Sequence, residues 1–450
     1  MSGMNVLGKV PIAVVLALLP LLFLLGAALP ELADQRSSQG PQYGMHTLTA
    51  DERTLPLVAA AGFDSVVQLF AWWEIEPTKD QFIWQAADEA VAGAEYYGLD
   101  LIVRLDKHPA WANADPLKSG APPVDLAEYD RWVRRIAERY RGRVAAYIIW
   151  NEPNLALEWS GLPPNPDAYV ELLKVGYRAV KETDPDALVV SAGLAPTNTQ
   201  SESALDDRLF LEAMYEAGAR DYFDVLGAHP YGFGRPPDDP RGVSDGMNLA
   251  RLEDLRDIML RYGDRKPVWI TEMGWTVEGN EHSAWQEVTR RQQAAYLSDA
   301  LRSIRQEWSW VELITIWNVG GETHPEWRGY SLLEPDGAPR PAYAAVQEYG
   351  LAQGKPTNEQ HGAAVDGKAA RYQVLADDAL IHLGDKRLPA PWAPIHQDRN
   401  PSPVWRGIVY VNDADLASDA GPWRLTLRVM QSNFWGSRIW VNGRPLPDLL

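Results

Sequence analysis

Short apolar runs alternate with longer amphipathic segments along most of this chain. Eight runs are rich in aliphatic and β-branched residues, as buried strands are. They are QYGMHTL (42–48), DSVVQLF (64–70), DLIVRLD (100–106), AAYIIWN (145–151), ALVVSAG (187–193), FDVLGAH (223–229), PVWITEM (267–273) and ELITIWN (312–318). The segments between them, such as YDRWVRRIAERYRG and RQQAAYLSDALRSIRQEW, carry apolar residues at helical spacing. The alternation predicts parallel strands joined by crossover helices.

Eight strand and helix units in residues 41–350 predict an α/β fold, a (β/α)₈ TIM barrel. A doubly wound parallel sheet is the alternative fold. That fold would place a Gly-rich phosphate-binding turn after the first strand, and the sequence has none there. In a barrel the active-site residues lie at the C-terminal ends of the strands, so candidate chemistry is to be sought there.

The N-terminal residues form an uncharged segment. Residues 10–30 are long enough to cross a bilayer as one helix. Lys9 precedes the segment while Glu31 and Asp34 follow it, which predicts that the rest of the chain is extracytoplasmic. We interpret residues 1–30 as a signal peptide or membrane anchor, and residues 31–40 as a polar spacer. The protein is thus expected to be membrane-anchored through a single N-terminal helix, or secreted if that helix is cleaved.

The pattern changes again after the eighth unit. Residues 351–370 are rich in Gly, Ala and polar residues and are typical of a linker. Strand-like runs without intervening helices follow, and Asn442-Gly443 is a hairpin signal. Residues 371–450 are therefore predicted to form a small C-terminal β-sandwich, an accessory domain.

Composition narrows the possible partners. The chain has a net charge of −19, which repels phosphate backbones and argues against a nucleic acid partner. It has no cysteine, which excludes disulfides, a cysteine nucleophile and thiolate zinc sites. It has 19 Trp and 18 Tyr against 8 Phe, an excess of aromatic faces with a polar edge that suits stacking on sugars as well as core packing.

Two glutamates follow strand-like runs at the predicted mouth of the barrel. Glu152 lies in IIWNEPN after the fourth run, and Glu272 lies in WITEMGW at the end of the seventh. Two carboxylates facing one cleft are the minimum equipment for glycosidic hydrolysis. One protonates the leaving oxygen, and the other attacks the anomeric carbon or activates water.

Further residues at strand ends are predicted to bind substrate. They are Asn151, His229, Tyr231, Trp317, Trp111, His108 and His46. No His, Asp and Glu cluster shows the spacing of metal ligands, so neither a catalytic metal nor a cofactor is expected.

These motifs resemble clan A glycoside hydrolases, which carry Asn-Glu after strand four and Glu after strand seven. The segments FAWWEIEPTKDQFIWQAAD (70–88) and KHPAWA (107–112) are similar to family 39 and to its relatives in families 5 and 42. The segment NVGGETH (318–324) fits no pattern of these families. The resemblance covers most of residues 42–345 and implies a retaining enzyme.

The resemblance also implies roles for individual residues. Glu152 matches the acid/base, Glu272 the nucleophile, and Asn151 the residue that bonds the sugar 2-hydroxyl. His229 and Tyr231 match the position from which a tyrosine holds the nucleophile. Trp317 matches the aromatic floor under the sugar that is cleaved.

The sequence therefore predicts a retaining glycoside hydrolase that cleaves O-glycosidic bonds of a polysaccharide by double displacement. The layout of membrane segment, barrel and small β-domain resembles family 39 endoglycosidases associated with bacterial exopolysaccharide production, which implies endo action on a self-made or surface polysaccharide. The alternative is a surface protein that binds glycans without catalysis.

Overall fold

The computed structural model describes residues 40–114, 122–278, 284–320 and 325–353, and six short strands beyond residue 371. The chain divides into two compact units, Met1–Thr357 and Asn358–Leu450.

The first unit is built on eight parallel strands. They are β1 (Gln42–Thr47), β2 (Ser65–Ala71), β3 (Asp100–Asp106), β4 (Ala146–Ile149), β5 (Leu188–Ser191), β6 (Leu226–Ala228), β7 (Val268–Ile270) and β8 (Val311–Val319). Each strand coincides with one of the eight apolar runs. Such continuous apolar runs are typical of parallel strands, because both faces of these strands are buried.

The strands close into a barrel. Their order is β5-β4-β3-β2-β1-β8-β7-β6, so β1 pairs with both β2 and β8. A parallel bridge between Val190 and Val225 joins the β5 and β6 edges. The predicted (β/α)₈ barrel is therefore confirmed, and the doubly wound sheet is excluded because such a sheet has two open edges.

Helices follow the strands around the barrel. They are α1 (Leu55–Ala60), α2 (Trp72–Ile75), α3 (Gln85–Tyr97), α4 (Leu126–Arg139), α5 (Pro166–Thr183), α6 (Asp207–Glu216), α7 (Arg251–Arg261), α8 (Arg290–Glu307), α9 (Pro325–Arg328) and α10 (Pro341–Ala352). Short 3₁₀ turns occupy Ala110–Ala112, Ala156–Glu158, Ala219–Tyr222, Ser244–Gly246 and Ala284–Gln286.

Local sequence explains where the long helices begin. The Asn165 side chain accepts a hydrogen bond from the Ala168 amide, and Pro166 occupies the first turn of α5. Thr289 and Gln292 form a reciprocal capping box at the start of α8. These caps satisfy amide groups that a helix leaves unpaired at its N-terminus.

The barrel interior is filled by a compact apolar cluster. Its members are Val67, Ile102, Ala146, Ile148, Val190, Val225, Trp269 and Leu313. Alternate residues of a strand point to the same face, so Arg104 and Asp106 share the inward face of β3 with Ile102. The interior is a packed core, and the cleft can open only at its ends.

The second unit contains short antiparallel pairings. Strand β10 (Ile381–Leu383) pairs with β11 (Lys386–Leu388). A four-stranded sheet has the order β12 (Ile408–Val409), β9 (Tyr372–Gln373), β13 (Trp440–Val441), β14 (Arg444–Pro445). The sandwich predicted for residues 371–450 stays a prediction, since most of these residues lie outside the described part.

The predicted membrane segment, residues 1–30, also lies outside the described residues, as do the spacer up to residue 39 and most of the linker. Within the described ranges, no helix has the length and apolar character needed to cross a bilayer.

Candidate active site

The predicted residues Glu152 and Glu272 lie at the same end of the barrel. Strand β4 ends at Ile149 and is followed by Asn151 and Glu152, while β7 ends at Ile270 just before Glu272. The backbone turns sharply after β4, because Trp150 and Glu152 both have a positive φ, of 76° and 40°. Non-glycine residues avoid this region, and such strained residues cluster at functional sites.

One histidine lies between the two glutamates. His229, which follows β6, has its Nδ1 2.8 Å from Glu152 Oε1 and 3.8 Å from Glu272 Oε2. One ligand atom from each of the three residues lies within 4.8 Å of the others. The structure therefore brings the two carboxylates together, as the sequence predicted.

The carboxylate of Glu272 is held at both oxygens. Arg104 Nη1 donates to Oε1 at 2.8 Å, and the Tyr231 hydroxyl donates to Oε2 at 2.8 Å. Burial and the Glu272 charge raise the pKa of Tyr231 well above its usual range, so the tyrosine stays a donor. The Glu272 carboxyl group is thus oriented at both oxygens and lies beside a fixed positive charge.

Arg104 is a residue that the sequence analysis missed. Besides Glu272, it donates to Asn151 Oδ1 at 3.0 Å and forms an ion pair with Asp106, with Nε 3.0 Å from Oδ2. Its side chain is buried. The available signal was a charged residue inside the apolar run DLIVRLD, because a buried charge requires partners.

Two carboxylates set the protonation of the His229 ring. Burial alone would lower the pKa of His229, but the carboxylates of Glu272 and Glu152 outweigh burial and raise it. The His229 ring therefore keeps its proton to higher pH than an isolated histidine would.

Gly193, after β5, makes room for the contact between His229 and Glu152. Its carbonyl accepts a hydrogen bond from the Glu152 amide at 3.1 Å, and a Cβ at this position would overlap the His229 ring. The glycine fixes both members of the pair from the neighbouring strand.

We expect Gly193→Ala to push His229 away from Glu152. Overpacking at a buried position typically lowers the free energy of unfolding by about 1–3 kcal/mol, and kcat should fall as well because the pair is displaced. The measurements are urea unfolding and turnover. Gly218→Ala is the control, because its φ of 82° makes alanine strained there while a Cβ meets no neighbour. It should lose stability but keep its kcat, and a Gly193→Ala variant with unchanged kcat would contradict the positioning role.

His46 and Trp317 lie beside Glu272. The two rings meet edge to face with centroids 4.4 Å apart, and His46 Nε2 lies 3.9 Å from Glu272 Oε1. Burial and then the Arg104 charge lower the pKa of His46 well below its usual range, so its ring is neutral. The structure thus groups Asn151, His229, Tyr231, Trp317 and His46 around the two glutamates.

Two predicted residues make their contacts elsewhere. Trp111 donates from Nε1 to the Glu76 carbonyl at 3.1 Å and packs edge to face on Trp72. His108 stacks on Trp150, with centroids 5.7 Å apart, and hydrogen-bonds Asn113. Their substrate-binding roles stay predictions, since neither contact reaches the glutamates.

The cluster of Glu152, His229 and Glu272 has the donor atoms for a cation. The Arg104 guanidinium, however, already lies 2.8 Å from Glu272 and would repel a divalent ion there. The Arg104 charge therefore disfavours a catalytic metal at this cluster.

Chelation should leave this site intact. We expect turnover after dialysis against EDTA to equal that of untreated protein, because Arg104 and Tyr231 already neutralise and orient Glu272. Activity that disappears with EDTA and returns with a divalent cation would contradict this assignment.

No protein-family model matches the sequence, and no curated protein matches it significantly. Solved structures do match the fold. A family 39 glycoside hydrolase from Bacteroides cellulosilyticus WH2 has a TM-score of 0.52 and 21% identity, over 76% of this chain and 68% of that one. A glucosidase from Croceicoccus marinus has a TM-score of 0.53 and 18% identity, over 70% and 68%.

A third structure, an endo-beta-1,4-glucanase from Xanthomonas axonopodis pv. citri, has a TM-score of 0.50 and 15% identity, over 69% of this chain and 99% of that one. At these identities the likeness concerns the fold. The chain is thus similar in fold to solved glycoside hydrolases, and its chemistry has to be argued from its own site.

Proposed function

We propose that this protein is a retaining glycoside hydrolase that cleaves O-glycosidic bonds of a polysaccharide. The observation that carries the proposal is the close pair of glutamates, since one carboxylate oxygen of Glu152 lies within 4.8 Å of one carboxylate oxygen of Glu272. Carboxyl groups about 5–5.5 Å apart are typical of retaining enzymes, whereas inverting enzymes need about 6.5–9.5 Å to admit a water molecule.

In the first step Glu272 attacks the anomeric carbon while Glu152 gives a proton to the leaving oxygen. The bond to the leaving group breaks and a glycosyl ester forms on Glu272. Arg104 and Tyr231 hold the Glu272 oxygens in a fixed orientation for the attack. The proton comes from the pair formed by Glu152 and His229, whose atoms lie 2.8 Å apart.

In the second step a water molecule releases the sugar. Glu152, now deprotonated, takes a proton from the water, and the resulting hydroxide attacks the anomeric carbon of the ester. The carboxylate of Glu272 is regenerated, and two inversions give net retention of configuration.

The surrounding residues can position the sugar. The Asn151 oxygen accepts from Arg104, which leaves the amide Nδ2 as the group that donates to the sugar 2-hydroxyl. Trp317, next to His46, supplies an apolar face beneath the ring. These assignments follow from the contacts and from the resemblance to clan A enzymes.

Exposed apolar side chains around the mouth favour a polymeric substrate and endo action. Trp73, Leu157 and Trp285 are 50%, 85% and 55% exposed and follow β2, β4 and β7. They lie on the same end of the barrel as Glu152 and Glu272, where sugars beyond the cleaved bond can contact them.

The first experiment is a product profile. The full-length protein is incubated with xylan, β-glucans, mannan, galactan, a uronide-containing polymer and aryl glycosides, with Glu152→Gln as the blank. We expect one of the polymers to release oligosaccharides from the start. Release of single sugars only would contradict endo action, and no new reducing ends from any substrate would contradict hydrolysis.

The N-terminal sequence supports a location outside the cytoplasm, tethered to the membrane or secreted after cleavage. A tethered enzyme would act on a glycan at or emerging through the bilayer. Cell fractionation tests this, and we expect the full-length chain in the membrane fraction. A soluble, trimmed chain would contradict the tether.

A further inference from the structure

The segment after β6 is built around a phenylalanine in an unfavourable backbone conformation. Phe233 has a φ of 52°, a region that bulky residues rarely adopt. It lies between Gly232 and Gly234. A Cβ on Gly232 would overlap the Trp275 ring, and one on Gly234 would overlap the Trp285 carbonyl oxygen. The segment therefore needs two glycines and one strained residue to pack where it does.

This packing supports an exposed tryptophan. The Phe233 ring stacks on Trp285, with centroids 5.3 Å apart and an interplanar angle of 30°. Trp285 nonetheless leaves 55% of its surface exposed. Trp275 holds the segment in place, since its Nε1 donates to the Arg235 carbonyl at 2.7 Å. Backbone strain is tolerated where function requires a particular conformation. Here the strained Phe233 supports the solvent-exposed ring of Trp285.

A continuous set of contacts joins Trp285 to Glu272. The Tyr231 hydroxyl bonds Glu272, and the Tyr231 ring packs on Tyr330 with centroids 5.4 Å apart. The Tyr330 hydroxyl donates at 3.2 Å to Gln286, the residue after Trp285. Trp285 thus lies on the rim of the same site, separated from Glu272 by two tyrosines.

We propose that Trp285, supported by Phe233, is a stacking platform for a sugar residue remote from the cleaved bond. The inference rests on the proposed function, since it assigns the platform to the substrate of Glu152 and Glu272. The occupant is a pyranose ring of the polysaccharide chain. Its apolar face can stack on the indole ring of Trp285, as another flat aromatic ring would. Trp285 therefore sets the chain length that the site prefers.

The test uses Trp285→Ala in the full-length protein. The probes are cello-, xylo-, manno- and galacto-oligosaccharides from disaccharide to hexasaccharide. The KM for the hexasaccharide should rise about tenfold, with kcat and the disaccharide constants close to wild type, because the platform binds ground state and transition state equally. Trp285→Phe should recover part of the loss.

Trp310→Ala is the matched control. Trp310 immediately precedes β8, at the opposite end of the barrel from Glu272, and stacks on Trp308. Trp310→Ala removes an indole ring that does not contact the proposed platform, so the preference for long chains should persist. A second measurement avoids turnover: Glu272→Gln with and without Trp285→Ala is compared for retardation in gels containing xylan, β-glucan or mannan.

The outcomes separate this inference from the proposed function. Loss of the long-chain preference and of gel retardation with Trp285→Ala supports the platform. If the wild-type protein hydrolyses a polymer and Trp285→Ala matches it at every chain length, the platform is wrong and the hydrolase stands. If the wild-type protein neither hydrolyses nor binds any probe, both are wrong.

Discussion

Glu272→Gln should lower kcat by at least about 10⁴-fold on any substrate that the protein hydrolyses, because the amide cannot form the glycosyl ester. The substitution keeps the size of the side chain. The amide oxygen can still accept from Arg104, and the amide NH2 can donate to the Tyr231 hydroxyl, so folding and glycan binding should persist. Turnover and binding are measured on the same preparation. Loss of turnover with binding retained separates an enzyme from a glycan-binding protein, which would be indifferent to the change. Hydrolysis at the wild-type rate would show that the nucleophile is wrongly assigned.

Azide provides a control for this variant. In Glu272→Ala the cavity admits a small anion, which can attack the anomeric carbon of an activated aryl glycoside. We expect a glycosyl azide of inverted configuration, because only one displacement then takes place. The same treatment of Glu152→Ala should give an azide of retained configuration. Exchanged outcomes would exchange the roles of the two glutamates.

Glu152→Gln should produce the second largest loss of activity. The size of this loss should depend on the leaving group of the substrate. General acid catalysis contributes typically about 10²–10⁴-fold, so hydrolysis of a polysaccharide should fall by that factor. A dinitrophenyl glycoside needs no proton on its leaving oxygen, and formation of the glycosyl ester from it should be nearly unchanged. An equal loss on both substrates would contradict the acid role.

The pH dependence follows from the contact with His229. Burial lowers the pKa of this histidine, but the neighbouring carboxylates outweigh burial and raise it, so the ring holds its proton to higher pH. As pH rises through that raised pKa the ring loses the proton that faces Glu152, and kcat/KM should fall on the alkaline side. In the Glu152→Gln variant, kcat/KM for the dinitrophenyl glycoside should fall less at alkaline pH, because this substrate needs no proton on its leaving oxygen. An unchanged profile would mean that another group controls the alkaline limb.

The barrel could be predicted from sequence because each strand is buried on both faces. Parallel strands under such burial read as continuous apolar runs, and all eight runs match observed strands. The alternation of these apolar runs with amphipathic segments then restricted the chain to a few possible topologies. The positions of Glu152 and Glu272 followed from the rule that barrel chemistry lies at the C-terminal ends of strands.

The arrangement inside the site could not be predicted in the same way. Arg104 lies in the middle of an apolar run rather than at a strand end, so its contacts with Glu272 and Asn151 emerge only from the folded barrel. The contact of His229 with Glu152 depends on a missing side chain at Gly193, on a third strand. Sequence spacing carries no information on such three-strand packing.

Trp111 illustrates a different limit. A tryptophan after a strand end can face the cleft or the core, and the direction depends on how the following loop turns. Here the indole bonds the Glu76 carbonyl and packs on Trp72, which places it in the wall after β3. Glu76 itself is buried and accepts hydrogen bonds from Trp72 and Arg131.

The most direct test of the central claim is to trap the covalent intermediate. The protein is incubated with activated 2-deoxy-2-fluoro glycosides of glucose, xylose, mannose and galactose, which slow both steps but leave the ester to accumulate, and the labelled peptide is identified by mass spectrometry. The account predicts a single sugar attached to Glu272, together with retained configuration in the first product of the corresponding unmodified substrate. A label on another residue, or an inverted product without any label, would contradict it.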